Sequence, residues 1–265
     1  MLTSEIGIAP EPAGDRPRRG GTSIELKGIT KSFRRGVTAL APVDLSIAGG
    51  EFVSIVGPSG CGKSTLLRII AGLVPASGGT STRAQNATAA FVFQEAALLP
   101  WRNVAENARL LMELERSGGD SRARLAEEAL ELVGLHGFEE MYPHQLSGGM
   151  RMRLSLARAI ALKPDLLLLD EPLAAVDELT RDGLQDELLR LWRRIGFTAV
   201  LVTHNVQEAV YLSNRVVVMS PRPGRIVKVF DVPFGSTRTA DLRATPEFAR
   251  LAGEISATLR EGAST

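Results

Sequence analysis

The run Gly57, Pro58, Ser59, Gly60, Cys61, Gly62, Lys63, Ser64 and Thr65 fits the pattern G-x-x-x-x-G-K-[ST]. Its chemistry is phosphate binding. Glycines let successive backbone N–H groups curl around an anion without a Cβ in the way, and a following helix aims its positive dipole end at the charge. In such a loop Lys63 reaches the β- and γ-phosphates of a nucleotide and the Ser64 hydroxyl coordinates Mg²⁺. The pattern requires a strand before it and a helix after it. Phe52 to Val56 reads as a buried strand, and Leu66, Leu67, Ile69 and Ile70 read as the inner face of a helix.

About a hundred residues on, the apolar run Leu166 to Leu169 ends in Asp170 and Glu171. A buried strand has no use for two carboxylates unless they face a metal or water at the sheet's edge. Asp170 is placed to hold Mg²⁺, and Glu171 to orient or deprotonate the water that attacks the γ-phosphate. Gln94 follows the strand-like Ala89 to Phe93, at the sheet end where open α/β folds bind ligands. Ser147, Gly148 and Gly149 open a second helix as an N-cap serine with exposed N–H groups behind it, which is either another anion grip or an ordinary capped helix. His204, after the strand Ala199 to Thr203, is either a γ-phosphate contact or the cap of the next helix. Phe33, in a turn between two strands, either stacks on a base or is a plain turn phenylalanine. Cys61 reads as a small residue tolerated by a tight loop, and as a candidate for thiol modification that blocks nucleotide.

Positioning these groups takes alternating strands and helices, hence a mainly parallel sheet covered on both faces. Residues 1 to 21, rich in Pro, Gly and Arg, read as a disordered tail. Ile24, Leu26 and Ile29, then Val43, Leu45 and Ile47, alternate as half-buried strands. From about 95 to 162 the pattern turns helical (104 to 116, 122 to 133, 149 to 162), an insertion between strands of one sheet. A helix near 180 to 195 precedes the last strands, and 236 to 265 is a polar tail with a surface helix around 246 to 260. The main domain is expected over 22 to 235. The 265 residues are 44% hydrophobic and 23% charged, an ordinary globular composition. With 31 Lys and Arg against 30 Asp and Glu, there is no overall field to draw nucleic acid. No apolar run approaches the ~18 residues of a spanning helix, and the first twenty lack a secretory leader's apolar centre.

The phosphate loop, Gln94, Leu146-Ser-Gly-Gly149, Asp170-Glu171 and His204, in this order and spacing, resemble the ATP-binding subunit of an ABC transporter over about residues 24 to 230. The run Phe93 to Val104 and Arg222-Pro-Gly-Arg225-Ile226 resemble its nitrate, sulfonate and taurine import branch. The resemblance implies a P-loop NTPase fold of ABC type, with an N-terminal antiparallel β region and a helical subdomain, binding ATP and Mg²⁺. It implies a head-to-tail homodimer, in which Ser147, Gly148 and Gly149 of one copy cover the nucleotide of the other and Asp177 lies at the seam. Phe33 would stack on adenine, Gln94 would contact Mg²⁺ and the attacking water, and His204 would touch the γ-phosphate. Transmembrane permease subunits would be separate polypeptides, served by an extracytoplasmic solute-binding protein, with this chain peripheral on the cytoplasmic face of the inner membrane and no nucleic acid involved. Met152, Val176 and Phe33 depart from the family's usual Gln, Leu and Tyr without removing a catalytic group. Two other functions compete: a soluble ABC ATPase of nucleic-acid maintenance or translation, and an ATP-binding switch without turnover. The long coiled coils or paired cassettes of the first are missing, and the intact Glu171 and His204 argue against the second.

Overall fold

A computed structural model describes residues 21–33, 36–114, 121–174 and 176–263; the expected tail over 1–21 falls almost wholly outside them. Nine strands and seven α-helices make two sheets and a helical layer among the described residues. Strands β1 (Ile24–Ser32), β2 (Thr38–Ile47) and β4 (Gly78–Arg83) form an antiparallel sheet in the order β2-β1-β4. The main sheet runs β5-β6-β7-β3-β8-β9, from β3 (Phe52–Val56), β5 (Ala89–Val92), β6 (Leu166–Asp170), β7 (Thr198–Thr203), β8 (Arg215–Met219) and β9 (Ile226–Asp231). Every pairing in it is parallel except the last, β8 with β9.

Period-two alternation explains how all-apolar runs such as Leu166 to Leu169 are buried on both faces. Leu166 and Leu168 join Val53, Ile55, Val200, Val202 and Val217 on one face, under the antiparallel sheet and helix α1 (Lys63–Ala71). Leu167 and Leu169 join Phe52, Val56, Leu201, Val216 and Val218 on the other, under the remaining helices. Those helices are α2 (Val104–Leu114), α3 (Ser121–Leu132) and α4 (Gly148–Ile160), which pack on one another, then α5 (Glu178–Ile195), α6 (Val206–Leu212) and α7 (Pro246–Ala263).

Two elements differ from expectation. β4 reads GGTSTR, too polar to show in the sequence; it is an exposed edge held by pairing Leu26 with Ser81 and Ile24 with Arg83. α7 is docked rather than merely superficial, because Phe248, Leu251 and Ile255 repeat at helical spacing and are buried in the core. No helix among the described residues is long and apolar enough to cross a membrane.

Candidate nucleotide site

Parallel pairing aligns the carboxyl ends of β5, β6, β7 and β3, and the candidate groups gather there. Asp170 stands beside Val202, and Val56, the last residue before the loop, stands beside Thr203. The loop is built by glycine: Gly60 and Gly62 have φ of +75° and +108°, a region that side chains with a Cβ rarely enter. Gly62 caps α1 without any side-chain bond, which leaves the helix's first N–H groups facing the loop. Lys63 is only 5% exposed, and its ammonium donates to the carbonyls of Gly57 at 2.8 Å and Pro58 at 3.0 Å.

Ser64 Oγ donates to Asp170 Oδ1 at 2.6 Å, across 106 residues of sequence. The other carboxylate oxygen lies 3.5 Å from Arg68 of α1. A hydroxyl and a buried carboxylate in contact are hard oxygen donors of the kind Mg²⁺ takes, one or two from protein and the rest from water and phosphate. Among the described residues no cluster of three His, Cys, Asp or Glu could hold a metal by itself.

Glu171 follows Asp170 with φ +48°, unusual for a residue with a side chain, and its N–H is fixed to the Val202 carbonyl at 2.8 Å. That turn brings its carboxylate to His204, with Oε2 3.0 Å from Nδ1. Gln94 is exposed at the adjoining strand end. Ser147 caps α4 by accepting from the Met150 N–H at 3.2 Å, and Gly149 lies against Thr180, where a Cβ would stand 2.6 Å from the threonine methyl. Asp177 caps α5 by accepting from the Thr180 N–H at 3.0 Å, a bond that holds its carboxyl below the usual range. The heads of α4 and α5 therefore lie together, outside the contacts that join the phosphate loop, Asp170, Glu171 and His204. Phe33 is about half exposed, with the Lys31 ammonium 5.2 Å from its ring centre. Cys61 is 1% exposed and burial pushes its thiol up, so it is not a reactive thiol in this conformation.

Several supporting residues are not evident in the sequence. Buried Asn107 of α2 accepts from the Leu99 N–H and donates to the carbonyls of Leu99, Arg102 and Asn103, fixing a loop that carries Trp101 outward at 72% exposure. Arg158 of α4 donates to the carbonyls of Ala96 and Ala97, just after Gln94. Arg181 of α5 donates to Leu173 and Val176, holding the segment between Glu171 and Asp177. Glu208 of α6 is buried behind His204, bonded through Oε2 to the Thr203 hydroxyl while Oε1 has no partner. No local pattern marks these four, because their partners are backbone atoms or buried groups supplied by tertiary structure.

Residues 40–174 match the sequence family described as ABC transporter. The chain is 44% identical over 218 residues to an uncharacterised ABC transporter ATP-binding protein of Methanocaldococcus jannaschii, covering 79% of this chain and 82% of that one. It is 43% identical over 248 residues to the taurine import ATP-binding protein TauB of Jannaschia sp., covering 88% and 92%. To the nitrate import ATP-binding protein NrtC of Synechococcus elongatus it is 44% identical over 227 residues, 82% of this chain and 34% of that longer one. A solved dimeric ATP-binding cassette in a post-hydrolysis state with ADP and Pi superposes with a TM-score of 0.70 at 32% identity, over 79% of this chain and 98% of that one. With its phosphate loop and carboxylates at one sheet edge, and with these relatives, the chain belongs to the ABC transporter family as an ATP-binding cassette.

Proposed function

We propose that this chain is the ATP-hydrolysing subunit of an importer for a small solute of the nitrate, sulfonate or taurine type. The observation that carries the enzymatic part is the convergence of Lys63, the Ser64–Asp170 pair and the Glu171–His204 pair at adjoining carboxyl ends of parallel strands. The solute class rests on relatives named for taurine and nitrate import.

In this reading the phosphate-loop amides and Lys63 hold the β- and γ-phosphates, and the nucleotide draws Lys63 from the Gly57 and Pro58 carbonyls. Ser64 and Asp170, with Gln94, hold Mg²⁺, which supplies charge neutralisation at the phosphates. Glu171 takes the proton of the attacking water, and His204 orients Glu171 and contacts the γ-phosphate. Phosphoryl transfer needs positioning and charge stabilisation more than covalent help, and this arrangement supplies both. Phe33 stacks on the adenine. Ser147, Gly148 and Gly149 of a second copy close over the nucleotide, with Asp177 at the seam. Gln94 and the loop 95–103 face the permease, a separate polypeptide, and an extracytoplasmic binding protein delivers the solute to it. The chain sits on the cytoplasmic face of the membrane.

The test is purification of the tagged chain from native membranes, with identification of what accompanies it and assay of Mg²⁺-dependent ATP hydrolysis on the same sample. A polytopic membrane protein with ATPase activity is the expected result. A chain bound to ribosomes or nucleic acid, with no membrane partner, would overturn the importer reading.

A further inference from the structure

The segment after β8, Ser220 to Arg225, touches the phosphate loop at Gly60 and Cys61. Arg222 Nε donates to the Gly60 carbonyl at 3.1 Å. Gly224 comes so close that a Cβ on it would stand 2.0 Å from the Cys61 carbonyl oxygen. Met219 backs Gly57 in the same way, with its carbonyl 3.0 Å from where a Gly57 Cβ would lie. The segment is also sewn to β2: the Gly224 N–H donates to the Ala39 carbonyl at 2.9 Å, and the Gly224 carbonyl accepts from the Ala41 N–H at 3.0 Å. Its own shape is fixed by Ser220, whose N–H donates to the Arg225 carbonyl at 2.9 Å and whose hydroxyl accepts from the Arg225 N–H at 3.2 Å.

A phosphate loop works by turning its N–H groups inward, and the carbonyls alternating with them must then find partners on the outside. Lys63 serves Gly57 and Pro58 from within. Arg222 serves Gly60 from without, at the residue whose left-handed turn aims the following amides. A loop held in this shape before nucleotide arrives has less ordering to undergo on binding. We propose that Ser220–Arg225 is a brace that presets the phosphate loop for the phosphate chain of a nucleotide, with Arg222 as its positioning residue and Gly224 as the point of close approach. This rests on the reading of Gly57–Thr65 as the phosphate grip.

Cys61, the chain's single cysteine, lies beneath the brace and reports on it directly. The experiment compares the purified full chain with Arg222→Ala, Arg222→Lys and Lys63→Ala. It measures the Kd for a fluorescent ATP analogue, kcat and KM for MgATP hydrolysis, and the rate at which an aromatic disulfide modifies Cys61 with and without nucleotide. Loss of one charged but exposed hydrogen bond should raise Kd and KM about fivefold in Arg222→Ala while kcat stays within about twofold. Cys61 should react about tenfold faster without nucleotide, as local opening becomes easier, and saturating MgATP should slow it again. Arg222→Lys, which can still donate one bond, should recover part of each change. Parent-like Kd and Cys61 reactivity in Arg222→Ala, or a fall in kcat with KM unmoved, would overturn the brace. Nucleotide binding that survives Lys63→Ala would instead overturn the phosphate-grip reading. Should Arg222→Ala fail to fold, Arg222→Met, which keeps most of the aliphatic stem and has no donor for the Gly60 carbonyl, carries the same measurements.

Discussion

Glu171 combines a left-handed backbone, a fixed N–H and a histidine at 3.0 Å, three constraints that hold one carboxylate in one direction. Strain of that kind is kept where position matters more than stability. Replacing Glu171 with Gln preserves shape while removing the proposed base, so turnover should fall by roughly 10²- to 10⁴-fold with ATP binding retained; hydrolysis at the parent rate would remove Glu171 from the water-handling role. Glu208 behaves differently. Burial pushes its carboxyl up, and the Thr203 hydroxyl, Arg181 and His204 only partly oppose that. The folded state thus binds the proton more tightly than the unfolded chain does. Its contribution to stability is complete below the ordinary glutamate range and is lost as pH rises through the raised value. Glu208→Gln should abolish that part of the decline, so its urea midpoint should gain on the parent as pH rises; parallel curves would show that Glu208 does not titrate there. Lys63, Ser64, Asp170 and Glu171 are legible in the sequence because their chemistry is written in neighbouring residues. Glu208 and Arg181 are not, since only folding supplies their partners.

The loops that carry these residues depend on single buried side chains. Asn107 uses both its amide oxygen and its amide nitrogen on the backbone of residues 99 to 103, and Arg158 donates two guanidinium N–H groups to the carbonyls of Ala96 and Ala97. The stretch from Ala96 to Asn103 is therefore positioned by side chains of α2 and α4 as well as by its own turn from Leu99 to Arg102. Asn107→Leu keeps the volume but leaves the Leu99 N–H and the Arg102 carbonyl unpaired, while the Leu99 and Asn103 carbonyls keep backbone donors, which should cost about 2–4 kcal/mol. Chemical denaturation measures that cost directly, and a loss below about 0.5 kcal/mol, the range of an ordinary surface change, would mean the loop holds itself. The helices were legible because α2, α4 and α5 have apolar residues at helical spacing. Likewise the runs Phe52 to Val56 and Leu166 to Leu169 announced buried parallel strands. β4 escaped because an exposed edge strand needs pairing and not hydrophobicity, and its six residues have almost none. The C-terminal helix looks superficial in sequence because its polar residues outnumber the three that anchor it, Phe248, Leu251 and Ile255.

At the scale of the molecule, the heads of α4 and α5 pose the remaining question. Ser147 and Asp177 cap adjoining helices, joined where Gly149 meets Thr180, and Ser147, Gly148 and Asp177 stay exposed although their chain's own phosphate loop is served by Lys63, Gly60 and Gly62. Exposed N–H groups at a helix start favour an anion. In the proposed head-to-tail pair each α4 would meet the nucleotide of its neighbour, so one site would need two chains. Two variants make this testable. Lys63→Ala removes the lysine of the phosphate loop but leaves α4 intact, whereas Ser147→Arg leaves the loop intact and blocks the head of α4. Each alone should be inactive. Mixed in equal amounts under conditions that allow exchange, they should regain about a quarter of the parental ATPase rate, because half the pairs are mixed and each mixed pair holds one intact site of two. If each chain instead used its own α4, every site in the mixture would keep one defect and no activity would return.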